Sequence, residues 1–211
     1  MPQIRNNQLG HPFQYYGDKY RALDPREIAA RTGAPYDEAR RVFTLTLMHS
    51  VYEVDHPEFA VHFISGEHDW LSDDPFGRIL LLRYLVNAQF IRPGGTFLAY
   101  QDIPWGEVYI RNFSGRCVRR LAYTFAGKGE QVARRMAALG GKPYEKGDIG
   151  WEFEFMPGLS IRFSIWNADE DFPPSAQILF SDNFHYAFDA EDLAYVGDVF
   201  IKILSYKGGA V

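Results

Sequence analysis

The sequence predicts an α+β fold, built as a single domain with an antiparallel or mixed sheet, a central hydrophobic helix and an amphipathic C-terminal helix. Three observations lead to this prediction. The segment from Pro75 to about Phe90 is apolar nearly all round, as expected of a helix buried under a sheet. Residues 151–165 alternate apolar and polar side chains on both sides of Pro157-Gly158, which is typical of a β-hairpin. Apolar residues from Leu193 to Ile203 recur at helical spacing.

The N-terminal part of the chain predicts an arm, a helix and two strands. Residues 1–22 are polar without a clear period, so we expect a loosely ordered arm. The string Asp24-Pro25-Arg26-Glu27 is typical of a helix start, and Gly33 of a helix end. The segments Val42–Asp55 and Phe59–Ile64 are rich in β-branched and aromatic residues, which predicts a pair of hairpin strands.

The middle of the chain predicts two strands and two helices. Residues 97–103 and 107–113 have strand-like composition on either side of Pro104-Trp105-Gly106. Apolar residues at helical spacing predict one helix over residues 118–125 and a second over residues 132–139.

The alternating hairpin also predicts a register. Matching the apolar faces places Phe153 opposite Phe163 and Glu154 opposite Arg162, because a slip of one residue would turn every side chain to the other face. Asp189 is the expected N-cap of the last helix. We therefore assign residues 23–206 to one α+β domain and residues 207–211 to a flexible tail.

Composition limits the classes of function. The 211 residues are 46% hydrophobic and 16% aromatic, enough for a large core with an aromatic-lined cleft. The formal net charge of -5 disfavours nucleic acid as a partner, because phosphate binding needs a basic surface. The single cysteine, Cys117, excludes an intramolecular disulfide and an iron–sulfur cluster held by this chain alone.

Apolar runs are too short for a membrane span and the N-terminus has no signal core, so we expect a soluble cytoplasmic protein that binds neither membranes nor nucleic acid.

The most suggestive residues for chemistry lie after the hairpin. An alternating strand ends at a tryptophan, three consecutive carboxylates follow, and a phenylalanine precedes two prolines. An aromatic pair around an acidic cluster is a candidate ligand-binding loop. Its candidate residues are Trp166, Asp169, Glu170, Asp171 and Phe172.

The same acidic loop is a candidate metal site. Hard cations such as Mg²⁺ prefer several converging carboxylate oxygens, and neighbouring carboxylates can divide acid and base roles. Beyond the next strand, Asp182 and His185 could complete a site with Asp169, Glu170 and Asp171. The sequence has no established metal-binding motif, and no cofactor is evident from it. The acidic loop leaves open the binding of a divalent cation. The competing interpretation is a solvated turn between strands.

Two further groups of residues are candidates for reactive side chains. His62, His68 and Asp69 could form a base with an orienting carboxylate. An outward-facing strand and a polar loop explain them better, because no recognisable motif places a nucleophile beside them. Cys117 begins a predicted helix beside Arg116, a position that would lower the thiol pKa. A lone cysteine is, however, more often a small buried side chain.

Several short strings occur along the chain in a characteristic order, and the most specific runs from Trp166 to Pro173 as Trp-x-x-Asp-Glu-acid-Phe-Pro. The others are Asp24-Pro25-Arg26-Glu27, Leu80 to Leu85, Phe125-Ala126-Gly127, Leu139-Gly140-Gly141, Gly147-Asp148 and Ile178-Leu179-Phe180. In this order they resemble the bacterial and archaeal family named domain of unknown function 3786, over nearly the whole chain.

The resemblance implies an origin in anaerobes and an association with iron–sulfur or corrinoid proteins, since some members carry an additional domain with clustered cysteines. This chain has one cysteine, so such a cluster would belong to a partner. Members tend to show Leu-Phe-Asp after the acidic loop, whereas this chain reads Leu179-Phe180-Ser181-Asp182. The resemblance therefore assigns no role to Asp182, and it supplies no catalytic residue.

Three functions remain open. The first is an accessory module of anaerobic metabolism that binds a small ligand or a protein partner. The second is a divalent-metal-assisted hydrolase that uses the loop Asp169-Glu170-Asp171 together with His185. In the third, the acidic loop is purely structural, and Trp166 and Phe172 clamp the core. The sequence does not decide whether the protein is an enzyme.

Overall fold

The computed structural model describes residues 7–71 and 74–206, so the expected tail over 207–211 lies outside the described residues. Helices and antiparallel strands share the chain, which confirms the α+β class. The described residues form two compact units, one of residues 7–71 and 74–91 with Tyr186–Phe188, and the other of residues 92–185 with 189–206. The assignment of residues 23–206 to one domain stays a prediction.

The first unit combines helices with a sheet of strand order β1-β2-β3-β4. Helix α3 contacts α1 and α2, and it begins where the side chain of Asp74 accepts hydrogen bonds from the amides of Phe76 and Gly77. The predicted hydrophobic helix is thereby confirmed. The elements are α1 Asn7–Ala22, α2 Pro25–Thr32, β1 Tyr36–Asp37, β2 Val42–Leu47, β3 Ser50–Asp55, β4 Val61–Ser65 and α3 Pro75–Asn87.

The loosely ordered arm expected over residues 1–22 is wrong for the described part, where α1 is a helix. Gly10, Pro12 and Gly17 obscured its pattern, because all three weaken a helix prediction. Tertiary contacts hold it instead: Tyr20 is fully buried, and its hydroxyl donates to the carbonyl of Asp55 at 3.2 Å.

The expected strand Val42–Asp55 is in fact a hairpin of two strands, β2 and β3. The turn consists of Met48 (φ 42°) and His49 (φ 64°), both in the left-handed region. Two-residue hairpin turns commonly need this geometry and usually show it by Asn or Gly. Because this turn contains neither, composition alone did not predict it.

The second unit is built around a five-stranded sheet of order β5-β9-β8-β7-β6. Helix α8 begins at the N-cap Asp189, whose side chain accepts from the Asp192 amide at 2.9 Å, as expected. Its elements are β5 Phe97–Ala99, a 3₁₀ turn Tyr100–Asp102, α4 Gly106–Phe113, a π-helical turn Ser114–Arg119, α5 Arg120–Phe125, α6 Gly129–Ala138, β6 Lys142–Pro143, β7 Ile149–Met156, β8 Leu159–Trp166, β9 Ser175–Ser181 and α8 Ala190–Leu204; the short helix α7, Phe184–Ala187, precedes α8.

The expected strand over residues 107–113 is wrong, since these residues form α4. Val108, Tyr109 and Ile110 favour a strand by composition. Burial instead follows the helical period, because Gly106 and Phe113 face the core while Val108 faces solvent. Packing of this one side decided the conformation.

The predicted β7–β8 hairpin is present, but its register differs by two residues. Glu152, not Glu154, lies opposite Arg162, and Trp151 lies opposite Phe163. A bulge between Glu154 and Met156 adds one residue to β7 near the turn. Because the shift is even, each side chain keeps its expected face.

Gly197 on α8 offers a test of packing in the second unit. A Cβ at this position would lie 2.5 Å from Sγ of Cys117, whereas a Cβ at Gly115 would meet nothing within 4 Å. We expect Gly197→Ala to lower the free energy of unfolding by about 1–3 kcal/mol through overpacking. The matched variant Gly115→Ala should raise it by about 0.5–1 kcal/mol, since alanine favours helix. Urea unfolding followed by circular dichroism measures both, and equal effects would contradict this account.

Candidate functional site

The predicted acidic loop joins β8 to β9 in the second unit. Trp166 ends β8 and is half-buried, whereas Asp169, Glu170, Asp171 and Phe172 are exposed. The exposed side chain of Phe172 therefore does not clamp the core, contrary to that part of the structural interpretation.

Asp169 closes the loop on itself. Its Oδ1 accepts hydrogen bonds from the amides of Asp171 at 2.9 Å and Phe172 at 2.7 Å. Its own amide donates to the carbonyl of Phe172 at 3.0 Å. This is the local side-chain-to-backbone pattern that aspartate commonly makes in turns. One carboxylate of the three thus organises the loop backbone.

Asn167 ties the start of the loop to its neighbours. Its amide donates to Oδ2 of Asp148 at 2.7 Å, and its Oδ1 accepts from the amide of Gly127 at 2.6 Å. The loop is therefore anchored to the segment before β7 and to the end of α5.

Asp182 and His185 do not join the acidic loop. The loop precedes β9 and Asp182 follows it, and the seven residues of the strand span about 20 Å. Asp182 instead accepts from the amides of Gly94 at 2.8 Å and Thr96 at 3.2 Å, which positions the segment leading into β5. His185 lies in α7.

The described residues contain no group of three or more His, Cys, Asp or Glu side chains arranged to hold a metal ion. The expected set Asp169, Glu170, Asp171, Asp182 and His185 is accordingly not assembled there. In the first unit, His62 pairs with Asp55 (Nε2 to Oδ2, 3.0 Å), while Asp69 Oδ1 accepts from the Leu71 amide at 3.2 Å.

Cys117 is a buried structural side chain. It lies inside the continuous helix α4–α5, not at a helix start, and its Sγ donates to the carbonyl of Ala194 at 3.4 Å. Burial raises the pKa of the thiol to about 12, and the charge of Asp198 adds to this effect. The neighbouring Arg116 and Arg120 both pair with Asp198, and their lowering effect on the thiol pKa does not overcome burial.

Sequence reasoning missed an exposed apolar surface on α4. Trp105, the residue that precedes α4, and Val108 and Tyr109 in its first turn are three exposed apolar residues within five positions, here called the α4 patch. Trp105 is 78% exposed and Val108 68%. Trp105 also has a φ of 66°, a left-handed conformation that is costly for a bulky residue. The sequence showed only a tryptophan in a Pro-Trp-Gly turn.

No helix formed by the described residues is long and apolar enough to cross a membrane. The cytoplasmic location and the absence of nucleic acid partners stay predictions.

The loop-closing role of Asp169 leads to a stability prediction. Asp169→Ala should lower the free energy of unfolding by about 1 kcal/mol, because two amides lose their acceptor. Glu170→Ala is the matched control and should change it by less than about 0.5 kcal/mol, as usual for an exposed surface position. Urea unfolding measures both. A rise in the melting temperature with millimolar MgCl₂ that Asp169→Ala abolishes would instead show a metal site.

The raised thiol pKa of Cys117 predicts chemical inertness. At pH 8, well below a pKa of about 12, the thiol stays protonated, and the folded protein should not react with iodoacetamide. Mass spectrometry should show alkylation only after unfolding in urea. A Val108→Cys variant supplies an exposed thiol as the positive control, and modification of Cys117 at a similar rate in the folded protein would contradict the assignment.

Comparison with known proteins supports the family resemblance. The profile of the family described as domain of unknown function (DUF3786) matches residues 24–203. No curated protein and no solved structure shows a match. With the profile covering most of its length, the chain belongs to the family of domains of unknown function DUF3786.

Proposed function

We propose that this protein is a partner-binding module whose α4 patch docks an acidic, partly apolar segment of another protein. The observation that carries the proposal is the conformation of Trp105, a largely exposed tryptophan held in a left-handed backbone conformation. Tryptophan is enriched among the residues that dominate binding energy at protein interfaces.

The backbone at the base of the patch is closely packed. A Cβ at Gly106 would lie 1.9 Å from the carbonyl oxygen of Tyr100, so the backbone approaches too closely for any other residue. Tyr100 stacks on Phe113 with ring centroids 4.0 Å apart, and its hydroxyl donates to the carbonyl of Ala190 at 2.6 Å. A surface fixed in this way loses little freedom on binding.

The backbone strain at Trp105 also supports a role in binding another molecule. A left-handed conformation costs a non-glycine residue about 1–2 kcal/mol, and a glycine would form the same turn without that cost. The exposed indole contributes little to the core of the unit in return. Strained exposed residues of this kind cluster at functional sites.

Charge around the patch favours an acidic partner. Residues 106–125 contain four arginines and one glutamate. Arg116 and Arg120 are paired with Asp198, whereas Arg111 and Arg119 are exposed and have no ion pair within the described part of the chain. A partner with carboxylates beside its apolar anchors would complement this surface.

The shape of the surface favours a protein over a small ligand, since small-molecule sites are concave whereas the α4 patch lies exposed at the start of a helix. The family resemblance makes a cofactor-bearing protein of anaerobic metabolism the first class of partner to examine. Metal-assisted hydrolysis is supported less, because Asp169 already serves the loop backbone.

A phage-displayed library of 16-residue peptides tests the proposal. Selection on the full chain should enrich peptides that combine Asp or Glu with Leu, Phe or Trp. Trp105→Ala should weaken binding of the enriched peptides at least tenfold, or about 1.4 kcal/mol, measured by isothermal titration calorimetry. Arg111→Glu should weaken it further in low salt, because the pairing is partly electrostatic.

Phe172→Ala is the matched control, since it removes another exposed aromatic ring of the same unit. It should leave peptide binding unchanged. Binding that survives Trp105→Ala, or that Phe172→Ala abolishes, would overturn the assignment of the α4 patch. Failure to enrich any peptide that binds with measurable affinity would overturn the proposed function itself.

A further inference from the structure

The continuous helix α4–α5 packs one side on the core and leaves another side open to solvent. The buried side chains lie four residues apart and are Phe113, Cys117, Leu121 and Phe125. Exposed residues recur at intervals of three or four, the spacing of one side of a helix. They are Val108, Asn112, Gly115, Arg119 and Tyr123, here called the α4–α5 face. This face continues the α4 patch along the helix and ends at Tyr123, which is 61% exposed.

Gly115, at the centre of this face, is a glycine that its own chain does not require. A Cβ there would meet nothing within 4 Å, and its φ is not in the left-handed region. By contrast, a Cβ at Gly106 would lie 1.9 Å from the carbonyl oxygen of Tyr100, and one at Gly197 would lie 2.5 Å from Sγ of Cys117. A glycine inside a helix costs about 0.5–1 kcal/mol relative to alanine. No contact within the described residues accounts for that loss at Gly115.

Two arginines flank the open position. Arg111 precedes Gly115 by four residues and Arg119 follows it by four, and residues four apart lie on the same side of a helix. Both are exposed, and neither forms an ion pair within the described part of the chain. The other two arginines of this helix pair with Asp198. The guanidinium groups beside Gly115 therefore remain available to carboxylates of another molecule.

We infer that the partner segment is an acidic amphipathic α-helix that lies along the α4–α5 face and comes closest to it at Gly115. The inference rests on the proposed function and adds to it the conformation and path of the partner. A glycine at a helix–helix contact lets the two backbones approach closely, because no side chain separates them. From Val108 to Tyr123 the face extends about 22 Å, the length of a helix of about 15 residues.

A helix fits this surface better than an extended segment does. An added strand needs the open edge of a sheet, whereas the main-chain groups along the interior of a helix are already hydrogen-bonded to one another. A second helix presents its side chains in ridges that pack on either side of a small residue. Its apolar side chains would contact the α4 patch and Tyr123 at the two ends. Its carboxylates would pair with Arg111 and Arg119 on either side of Gly115.

A leucine at position 115 tests this geometry with the peptides that selection on the full chain enriches. Gly115→Leu should weaken their binding about tenfold or more, because the added side chain fills the space that the partner backbone needs. Its melting temperature should not fall, since leucine favours a helix and the position is open. Gly10→Leu is the matched control, because Gly10 is an exposed helical glycine of the first unit whose Cβ would also meet nothing within 4 Å. Isothermal titration calorimetry should show wild-type affinity for this control.

Nuclear magnetic resonance of an enriched peptide labelled with ¹³C gives a readout that needs no variant of the protein. On binding to the full chain, its Cα chemical shifts should become helical over most of its length. Proline at a central peptide position that tolerates alanine should abolish binding, because proline breaks a helix.

The outcomes separate this inference from the proposed function. A bound peptide that stays extended overturns the inference, and so does an affinity that Gly115→Leu leaves unchanged or that Gly10→Leu lowers equally. If Trp105→Ala still weakens binding in those cases, the α4 patch stands as a docking site and only the helical partner is lost. Failure to enrich any peptide that binds overturns both.

Discussion

Burial of aromatic rings between α8 and the inner face of the five-stranded sheet is the interaction on which the second unit depends. Phe200 lies with its ring centroid 5.6 Å from that of Phe153 and 6.1 Å from that of Phe163, so one helix residue joins two adjacent strands. Large rings remove much apolar surface from water and dominate core energetics. Because α8 must approach closely, Gly197 faces Cys117, where any larger residue would clash.

This close approach organises the helix that carries the candidate surface. Cys117 lies in the π-helical turn. Arg116 of the same turn and Arg120 at the start of α5 both form ion pairs with Asp198 of α8. Such turns add one residue to a helix and are frequent near functional sites. The α4 patch therefore stands on a helix that is fixed to the core at one side and open to solvent at the other.

The acidic loop shows how a conspicuous cluster of charges can serve the backbone. A connection between strands leaves amides without ladder partners, and each needs an acceptor. Asp169 supplies one acceptor for two of them, and Asp182 does the same for Gly94 and Thr96. Carboxylates that accept amide hydrogen bonds in this way are less available as ligands for a cation. The α4 patch, by contrast, consists of exposed apolar side chains.

The sequence by itself determined the α+β class, the helices that begin at Asp74 and Asp189, and the faces of the β7–β8 hairpin. Caps and hydrophobic periodicity are local properties, so they can be recognised without knowing the rest of the fold. The acidic loop is likewise a short local string, and for this reason it could be recognised in the sequence and compared with a family.

Only the tertiary structure decided the features that depend on distant residues. Helix α1 owes its place to contacts of Tyr20 with the sheet, and α4 is helical because one side of it packs on the core, against the strand preference of its residues. A bulge in β7 accounts for one residue of the two-residue difference in the hairpin register. The length of β9 separates Asp182 from the acidic loop. The exposure of Trp105 and of β4 likewise depends on where the hydrophobic core ends. No local sequence pattern predicts that boundary, because burial is a property of the whole packed unit.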